Sequence, residues 1–336
     1  MSGTQEKLDN LLPFEKVKRA ILVKRNADTS DKYGKDPNSR TAEELIDYGV
    51  VNIDKPSGPT SHQVSAYVQQ ILGLNKSGHS GTLDPKVTGV LPVALGRATR
   101  IVQTLLTAGK EYVAVMHVHK DVDEKALKDA CEKFTGKIRQ LPPIKCSIKR
   151  EWRFRKVYYI DIMEINGKDV LMKIGCQAGT YIRKLCHDLG QELGVGAHMA
   201  ELRRTKAGCF GEDSLVIMQD LKDAFHYYKQ GNDKFIKHLI KPIEFAVGNL
   251  ANIWVTDSAV ESICHGANLA IPGVSKLHSE MQPDEKVAIM TLKDELIAVG
   301  TVKMTSKEIM SNDKGIAVIT EKVFMLPGTY PRIQKV

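Results

Sequence analysis

The sequence predicts an α+β fold in two parts, a large mixed region followed by a small all-β end. Three observations carry that prediction. Val157–Met163 and Val170–Cys176 are β-branched runs joined through Asn166-Gly167, a strong signal for a tight hairpin. Gln63–Leu72 and Asp123–Phe134 instead carry apolar residues at helical spacing. From Ile253 onward the chain breaks into short β segments and turns: Trp254-Val255, Ile271-Pro272-Gly273-Val274, Val287–Met290, Leu296–Val302 and Gly315–Val323. That is the pattern of a small barrel, and 336 residues are enough for two domains.

In chain order, residues 1–45 are polar and charged, but Leu11-Leu12-Pro13-Phe14 and Ala20-Ile21-Leu22-Val23 are apolar. A bland tail needs no apolar patches, so part of this arm is expected to pack on something. Arg25–Arg40 reads as a loop or extended arm. Gly49–Pro56 begins as a β-branched strand and stops at the proline. Thr60-Ser61-His62 reads as the cap of the helix that follows. After the glycine-rich stretch around Asp84 a helix is expected, ending near Leu106; Gly109–Val118 is a strand. Gly179–Gly190 opens a helix with Tyr181 and Arg183 at its very start, and His198–Phe210 is a strand with a basic exit. Val216–Ile240 reads as largely helical and Phe245–Asn252 as a linker.

The formal charge is +8 with a pI of about 9.0, which favours a polyanionic partner. The charge is uneven. Residues 253–336 hold nine Lys/Arg and ten Asp/Glu, whereas the preceding 252 hold 39 and 30, so the positive footprint lies in the larger part. The stretch from Lys137 to Lys156 has eight Lys/Arg and one Glu, interleaved with Trp152 and Phe154. Lys145, Lys149, Arg150, Arg153 and Arg155 suit phosphate contacts, with the aromatics for stacking; the plainer alternative is a hairpin edge guarded by solvated charges. The six cysteines, at 131, 146, 176, 186, 209 and 264, form no C-x-x-C pair and no zinc spacing, so no metal is expected. Asp121-Val122-Asp123 lacks the glycine and glutamate of a calcium loop. There is neither a G-x-G-x-x-G after a strand nor a Walker A motif. No signal-peptide pattern or bilayer-length apolar run is visible, so a soluble intracellular protein is expected.

One stretch stands out, Gly78-His79-Ser80-Gly81-Thr82-Leu83-Asp84-Pro85-Lys86-Val87-Thr88-Gly89-Val90-Leu91-Pro92. Its glycines allow tight bends, and Pro85 pushes Asp84 away from helical geometry. An apolar wall of Val87, Val90, Leu91, Val93, Ala94 and Leu95 follows. Locally, Asp84 is either an Asx-turn residue or a carboxylate held on a bent loop for chemistry.

Gly78–Pro85 followed by Thr88–Pro92 resembles the catalytic motif of the TruB-type pseudouridine synthases, and the wider chain, from about Leu12 to about Pro331, resembles their dyskerin-like branch. The resemblance implies a mixed, mostly antiparallel-sheet catalytic domain over 46–250, a small C-terminal β-barrel-like PUA domain over 251–336, and an N-terminal arm over 1–45 packing on that domain. It implies isomerisation of uridine to pseudouridine with no cofactor, because the reaction breaks the N1–C1′ bond and rejoins the base through C5 without redox change. Asp84 would be the catalytic carboxylate, attacking C1′ or removing a proton at C2′; both remain open. Arg183 would hold it ionised and oriented. Tyr112 would stack on the target base with its hydroxyl available at C5. Tyr181 and Leu202 would line the uracil pocket, although Tyr112 and Leu202 taken singly read as core residues. Lys55 would support the Lys55-Pro56 loop, and His62 would contact RNA near the target, its alternative being a capping-box residue. The target nucleotide would be flipped out, with the basic stretch as a thumb closing over RNA and His265-Gly266 facing RNA from the PUA end.

The partners implied are an H/ACA guide RNA, substrate rRNA or tRNA, a small Nop-type zinc-ribbon-like protein, a Gar-type β-barrel protein and a kink-turn-binding ribosomal-type protein, with no membrane. The absence of long Lys-rich tails favours an archaeal source and a cytoplasmic location. A stand-alone enzyme acting on the TΨC loop of tRNA is the alternative. A non-catalytic RNA scaffold would be expected to have lost part of the set Asp84, Tyr112, Tyr181 and Arg183, and all four are present.

Overall fold

The computed structural model describes residues 10–142 and 149–332. Its strands are β1 Ile21–Val23, β2 Gly49–Lys55, β3 Ser77–His79, β4 Thr88–Leu95, β5 Lys110–Val118, β6 Gly136–Gln140, β7 Arg153–Asn166, β8 Asp169–Cys176, β9 Ala197–Ala207, β10 Ile240–Pro242, β11 Ala251–Val255, β12 Leu269–Ala270, β13 Val274–His278, β14 Lys286–Met290, β15 Leu296–Val302 and β16 Ile316–Val323. Four helices matter below: α1 Ser61–Leu72, α2 Glu124–Lys133, α3 Ile182–Glu192 and α4 Asp257–Cys264. The described residues fall into two compact units. The first gathers 10–16, 51–93 and 102–225; the second gathers 17–50, 94–101 and 226–332. The sequence reading divides the chain after residues 45 and 250.

In the first unit the strands run in the order β2-β4-β9-β5-β8-β7-β6, with β3 beside β4. β5 pairs antiparallel with β8 and β9, β7 with β8, and β6 with β7, while β4 and β9 run parallel. The sheet is therefore mixed and mostly antiparallel. The hairpin through Gly167 forms as expected, Asn166 facing Asp169 and Gly167 taking φ +57°. One face of the sheet packs on α2 and α3: Leu127, Ala130, Leu185, Cys186 and Leu189 share a core with Ala114, Met116, Met172 and Ile174.

Two local features build the approach to Asp84. Thr60 and Gln63 form a reciprocal capping box at the start of α1. Residues 88–95, expected to enter a helix, form the buried strand β4 instead. Pro92 cannot donate to a helical ladder, and Gly89 sits at φ +100°, where an added Cβ would come within 2.2 Å of the Arg204 carbonyl. A strand buried on both faces shows no alternation, so periodicity alone does not distinguish it from a helix. Helical structure begins only after Leu95, as a 3₁₀ segment at Gly96–Ile101 and a short helix at Val102–Thr107.

The second unit is a seven-stranded sheet in the order β1-β13-β11-β14-β15-β16-β12 around its own apolar core. β11 and β14 pair in parallel and the other pairs are antiparallel. The arm contributes β1, with Ile21 opposite His278 and Val23 opposite Lys276. Further along it, Thr29 and Ser30 bond the Asp257 carboxylate, and Lys293 Nζ donates to the carbonyls of Ser30 and Tyr33. Arg40 makes a bidentate, buried pair with Glu244 at 2.6 and 2.7 Å. No helix among the described residues is long and apolar enough to cross a membrane.

Candidate active site

The Asp84 loop is held from three sides. On the first, Lys55 at the end of β2 is buried, and its ammonium donates to the carbonyls of Pro56 (2.9 Å), Pro85 (2.9 Å) and Val87 (2.8 Å). Two of these acceptors, Pro85 and Val87, closely follow Asp84, so one cation ties the loop to β2. Burial pushes the Lys55 pKa down and the nearby Asp84 charge pulls it back up. On the second side, Ser61, the first residue of α1, bonds both backbone groups of Leu83; the Leu83 N–H donates to it at 2.7 Å. On the third, Arg204 of β9 is 1 % exposed, and its Nε donates to the Val90 carbonyl at 2.6 Å.

Arg204 also faces Tyr112, its direct neighbour across the β5–β9 ladder. Burial raises the pKa of the Tyr112 hydroxyl, and the neighbouring Arg204 charge opposes that rise. Burial lowers the Arg204 pKa, with Tyr112 opposing. A third buried cation, Lys110 at the start of β5, donates to the carbonyls of Leu105 (3.0 Å) and Ala108 (2.7 Å). Desolvation first, and Arg204 second, bring its pKa down to about 7. Lys55 and Arg204 thus form a buried, electropositive support for the loop and the strand that follows it, each bonded to main-chain carbonyls.

Asp84 lies on this support, and its carboxylate accepts from Nη2 of Arg183. Arg183 is the second residue of α3, whose N-cap is Tyr181. Tyr181 is itself gripped through its main chain by Gln140 of β6. Leu202 sits on β9 opposite Ala114 and packs against the same core as Tyr112. His62 is exposed on the first turn of α1 and meets His79 edge-on, ring centroids 6.4 Å apart; the capping box uses its neighbours Thr60 and Gln63. The structure therefore gathers Asp84, Arg183, Tyr112, Tyr181, Leu202, Lys55 and His62 within one unit.

The basic stretch divides. Lys145 lies outside the described residues. Lys149 and Arg150 are exposed, Lys149 pairing with Glu151 and Arg150 reaching the Pro142 carbonyl. Arg153 approaches the Lys149 carbonyl at 3.5 Å. Arg155 directs Nε to the Gly179 carbonyl and Nη1 to that of Phe154. Trp152 and Phe154 are 55 % and 58 % exposed, each with a cation over its ring, Arg139 and Lys137 respectively. In the second unit, His265 caps the end of α4 and pairs with Glu261, and Gly266 follows at φ +89° with open space where a Cβ would be. No group of three or more metal-ligating side chains among the described residues is arranged to hold an ion.

Sequence reasoning placed Arg204 in the segment Leu202-Arg203-Arg204-Thr205, which resembles a fixed segment of the family, and Ser61 in the cap of α1, but gave no site role to Arg204, Lys110, Ser61 or Gln140. Neither Arg204, one of several charged residues in the polar run Glu201–Lys206, nor a glutamine shortly before two prolines carried a signal of burial.

The comparisons with known proteins cover the whole length. Family models match at 9–65 (the DKCLD domain), 69–126 (TruB family pseudouridylate synthase, N-terminal domain), 183–248 (tRNA pseudouridylate synthase B C-terminal domain) and 251–324 (the PUA domain). A protein of Methanopyrus kandleri described as a probable tRNA pseudouridine synthase B is 53 % identical over 99 % of this chain and 97 % of its own. The chain belongs to the TruB family of pseudouridine synthases. A relative from Pyrococcus horikoshii with the same description is 54 % identical over 98 % of this synthase and 99 % of its own length. Among solved structures, a chain of a Cbf5-Nop10-Gar1 complex superposes with a TM-score of 0.91, at 51 % identity, covering 97 % of this synthase and all of that chain. A chain of an H/ACA RNP bound to a substrate RNA containing 2′-deoxyuridine gives a TM-score of 0.88 at 50 % identity over 96 % of this synthase and 99 % of that chain. The two-part α+β fold with a C-terminal PUA domain, expected from the sequence, is thereby established, as is the enzyme class.

Proposed function

We propose that this pseudouridine synthase is the catalytic subunit of an H/ACA ribonucleoprotein, isomerising rRNA uridines selected by a guide RNA. The observation that carries the reading is the superposition, arm included, on chains that work inside Cbf5-Nop10-Gar1 and RNA-bound H/ACA assemblies. Its partners are then a guide RNA, the substrate RNA, Nop10-like and Gar1-like proteins, and a kink-turn-binding protein, in the cytoplasm of an archaeal cell. The working division is an arm (1–45), a catalytic domain (46–250) and a PUA domain (251–336).

In this reading the uridine is flipped onto Tyr112, and Asp84 acts at C1′ or C2′ as the N1–C1′ bond breaks. The freed uracil turns, its C5 bonds C1′, and the C5 proton leaves by way of the Tyr112 hydroxyl, N1 ending protonated. Arg183 orients Asp84. Tyr181 and Leu202 retain the base while it is detached, and Lys55 fixes the loop. The buried support of Lys55 and Arg204 lowers the energy of negative charge developing on the uracil. Lys145, Lys149, Arg150 and Arg153 supply phosphate contacts, His62 touches RNA near the target, and His265-Gly266 contacts RNA from the PUA end. The isomerisation is redox-neutral and calls for no cofactor.

The shared description of the curated relatives favours a second reading, unguided modification of the TΨC loop of tRNA. A pseudouridine assay separates the two: purified protein with tRNA alone, against protein with guide RNA, partner proteins and matched rRNA substrate, each beside Asp84→Ala. Product only with the guide, and none from Asp84→Ala, is the expected result. Full-rate conversion of tRNA with no gain from the guide overturns the first reading. Activity in Asp84→Ala overturns the site.

A further inference from the structure

Gln140 is the last residue of β6, and its side chain is 2 % exposed. Its amide forms a two-point clamp on one residue of another element: Oε1 accepts the Tyr181 N–H at 3.0 Å, and Nε2 donates to the Tyr181 carbonyl at 3.2 Å. A buried amide needs partners, and many main-chain groups could supply them. Here both belong to the N-cap of α3, which has no side-chain cap of its own. The Tyr181 carbonyl also accepts the first helical bond, from the Leu185 N–H at 3.0 Å. Gln140 therefore fixes the point from which α3 starts.

A second anchor lies two residues earlier. Arg155 of β7 donates from Nε to the Gly179 carbonyl at 3.2 Å. Gly179 takes φ +79°, and a Cβ there would come within 3.1 Å of the same Nε. β6 and β7 are hydrogen-bonded neighbours, with Gln140 opposite Arg153 and Ile138 opposite Arg155. They are also the strands between which the basic stretch runs. Both of its stems thus hold the entry turn of α3, and Arg183, two residues beyond Tyr181, carries that position to Asp84.

We infer that Gln140 and Arg155 are positioning residues that set the Tyr181 main chain and, through α3, the approach of Arg183 to Asp84. The inference rests on the proposed roles of Asp84 and Arg183. It assigns Arg155 to the entry turn of α3 where the sequence suggested RNA phosphate. A displacement of about 1 Å at a reacting group can lower a rate about 100-fold, so loosening the entry turn should appear in catalysis more than in binding.

The test uses Gln140→Met, Gln140→Glu and Arg155→Met in whichever assay above yields product. Three quantities are measured: RNA affinity, single-turnover rate at saturating RNA, and the unfolding midpoint. Gln140→Met, close in size but without hydrogen bonds, should lower the saturated rate at least about 10-fold with affinity within about threefold. Gln140→Glu keeps the acceptor for the Tyr181 N–H but sets a carboxylate oxygen against the Tyr181 carbonyl in place of the donor, so its rate should fall at least as far as that of Gln140→Met. Arg155→Met should behave like Gln140→Met. Equal loss of rate, affinity and midpoint in Gln140→Met means loss of fold and overturns the role of Gln140. Weakened affinity with a shallower salt dependence and an intact saturated rate in Arg155→Met makes Arg155 a phosphate contact and overturns its role. Asp84→Asn is run alongside; if it retains activity, the reading of the site fails independently of Gln140.

Discussion

The Arg183 guanidinium donates to the Asp84 carboxylate across 99 residues of sequence, and the two side chains stay open to solvent at 56 % and 53 % exposure. An ion pair so exposed contributes about 0–1 kcal/mol to stability. On the proposed reading its value lies in aiming a carboxylate where a nucleotide can reach it. Asp84→Asn should therefore shift the unfolding midpoint by no more than about 4 °C while the rate falls by about 10³-fold or more. Calorimetry beside a single-turnover assay checks both halves, and a large loss of midpoint would make Asp84 a structural residue.

Lys55 should show the opposite balance. Its ammonium satisfies three carbonyls around the Asp84 loop, and Lys55→Met leaves them without a donor in a buried place. A loss of about 2–4 kcal/mol is expected, seen as a lower urea midpoint with unchanged slope. The rate should fall with it, because the loop that carries Asp84 loses its tie to β2.

Arg204→Met removes the donor to Val90 and the charge beside Tyr112. The expected cost is about 1–3 kcal/mol for the stranded Val90 carbonyl. The saturated rate should fall more than the RNA affinity, since Arg204 is buried and presents nothing to RNA. Unchanged turnover in a folded Arg204→Met protein would remove the buried support from the mechanism.

Lys110 gives a pH test with a definite sign. Its native pKa is lowered to about 7 from an ordinary 10.5. Between those values the unfolded chain holds a proton that the native state has released, so stability rises with pH across that window. Below about 7 both states are charged and the burial penalty is present in full. The difference in unfolding free energy, Lys110→Met minus wild type, should therefore be most favourable to the variant below pH 7 and shrink towards pH 10. The orphaned Leu105 and Ala108 carbonyls add only a constant offset. A difference that stays flat from pH 6 to 9.5 would contradict this account.

Lys149 and Arg150 are exposed at the start of the segment leading into β7. If they neutralise phosphates, each single Ala variant should reduce the slope of log affinity against log salt by about 0.7–0.9. The saturated rate should stay near wild type. Filter binding across a salt series reads the slope, and an unchanged slope in both variants would assign them to the solvated hairpin edge instead.

Much of this site was legible because its signals are local. Asp84 stands in a long motif of glycines and prolines whose backbone demands are written residue by residue. The Asn-Gly hairpin, the capping box at Thr60 and Gln63, and the alternation of β5 need only a few neighbouring residues to declare themselves. The run after Asp84 misled for the same reason in reverse. Val90–Leu95 is apolar at every position, so its period is silent, and only the sheet that covers both of its faces makes it a strand. The helices Asp257–Cys264 and Ser306–Ser311 escaped notice because the barrel pattern around them is stronger than their own.

By itself the sequence determined the enzyme family, the two-part α+β character and the basic first part, and it put forward Asp84 as the candidate carboxylate. These follow from composition and from contiguous motifs, which survive without coordinates. The tertiary structure alone decided which charges meet. Strand order places β4 and β5 on either side of β9, so Arg204 can reach Val90 on one neighbour and Tyr112 on the other. The β6–β7 pairing brings Gln140 and Arg155 onto the turn that aims Arg183. A guanidinium or an amide has the same letter in the sequence whether it faces solvent or three carbonyls. Its partners, and with them its charge state and its task, are fixed only when the register of the sheet sets distant residues side by side.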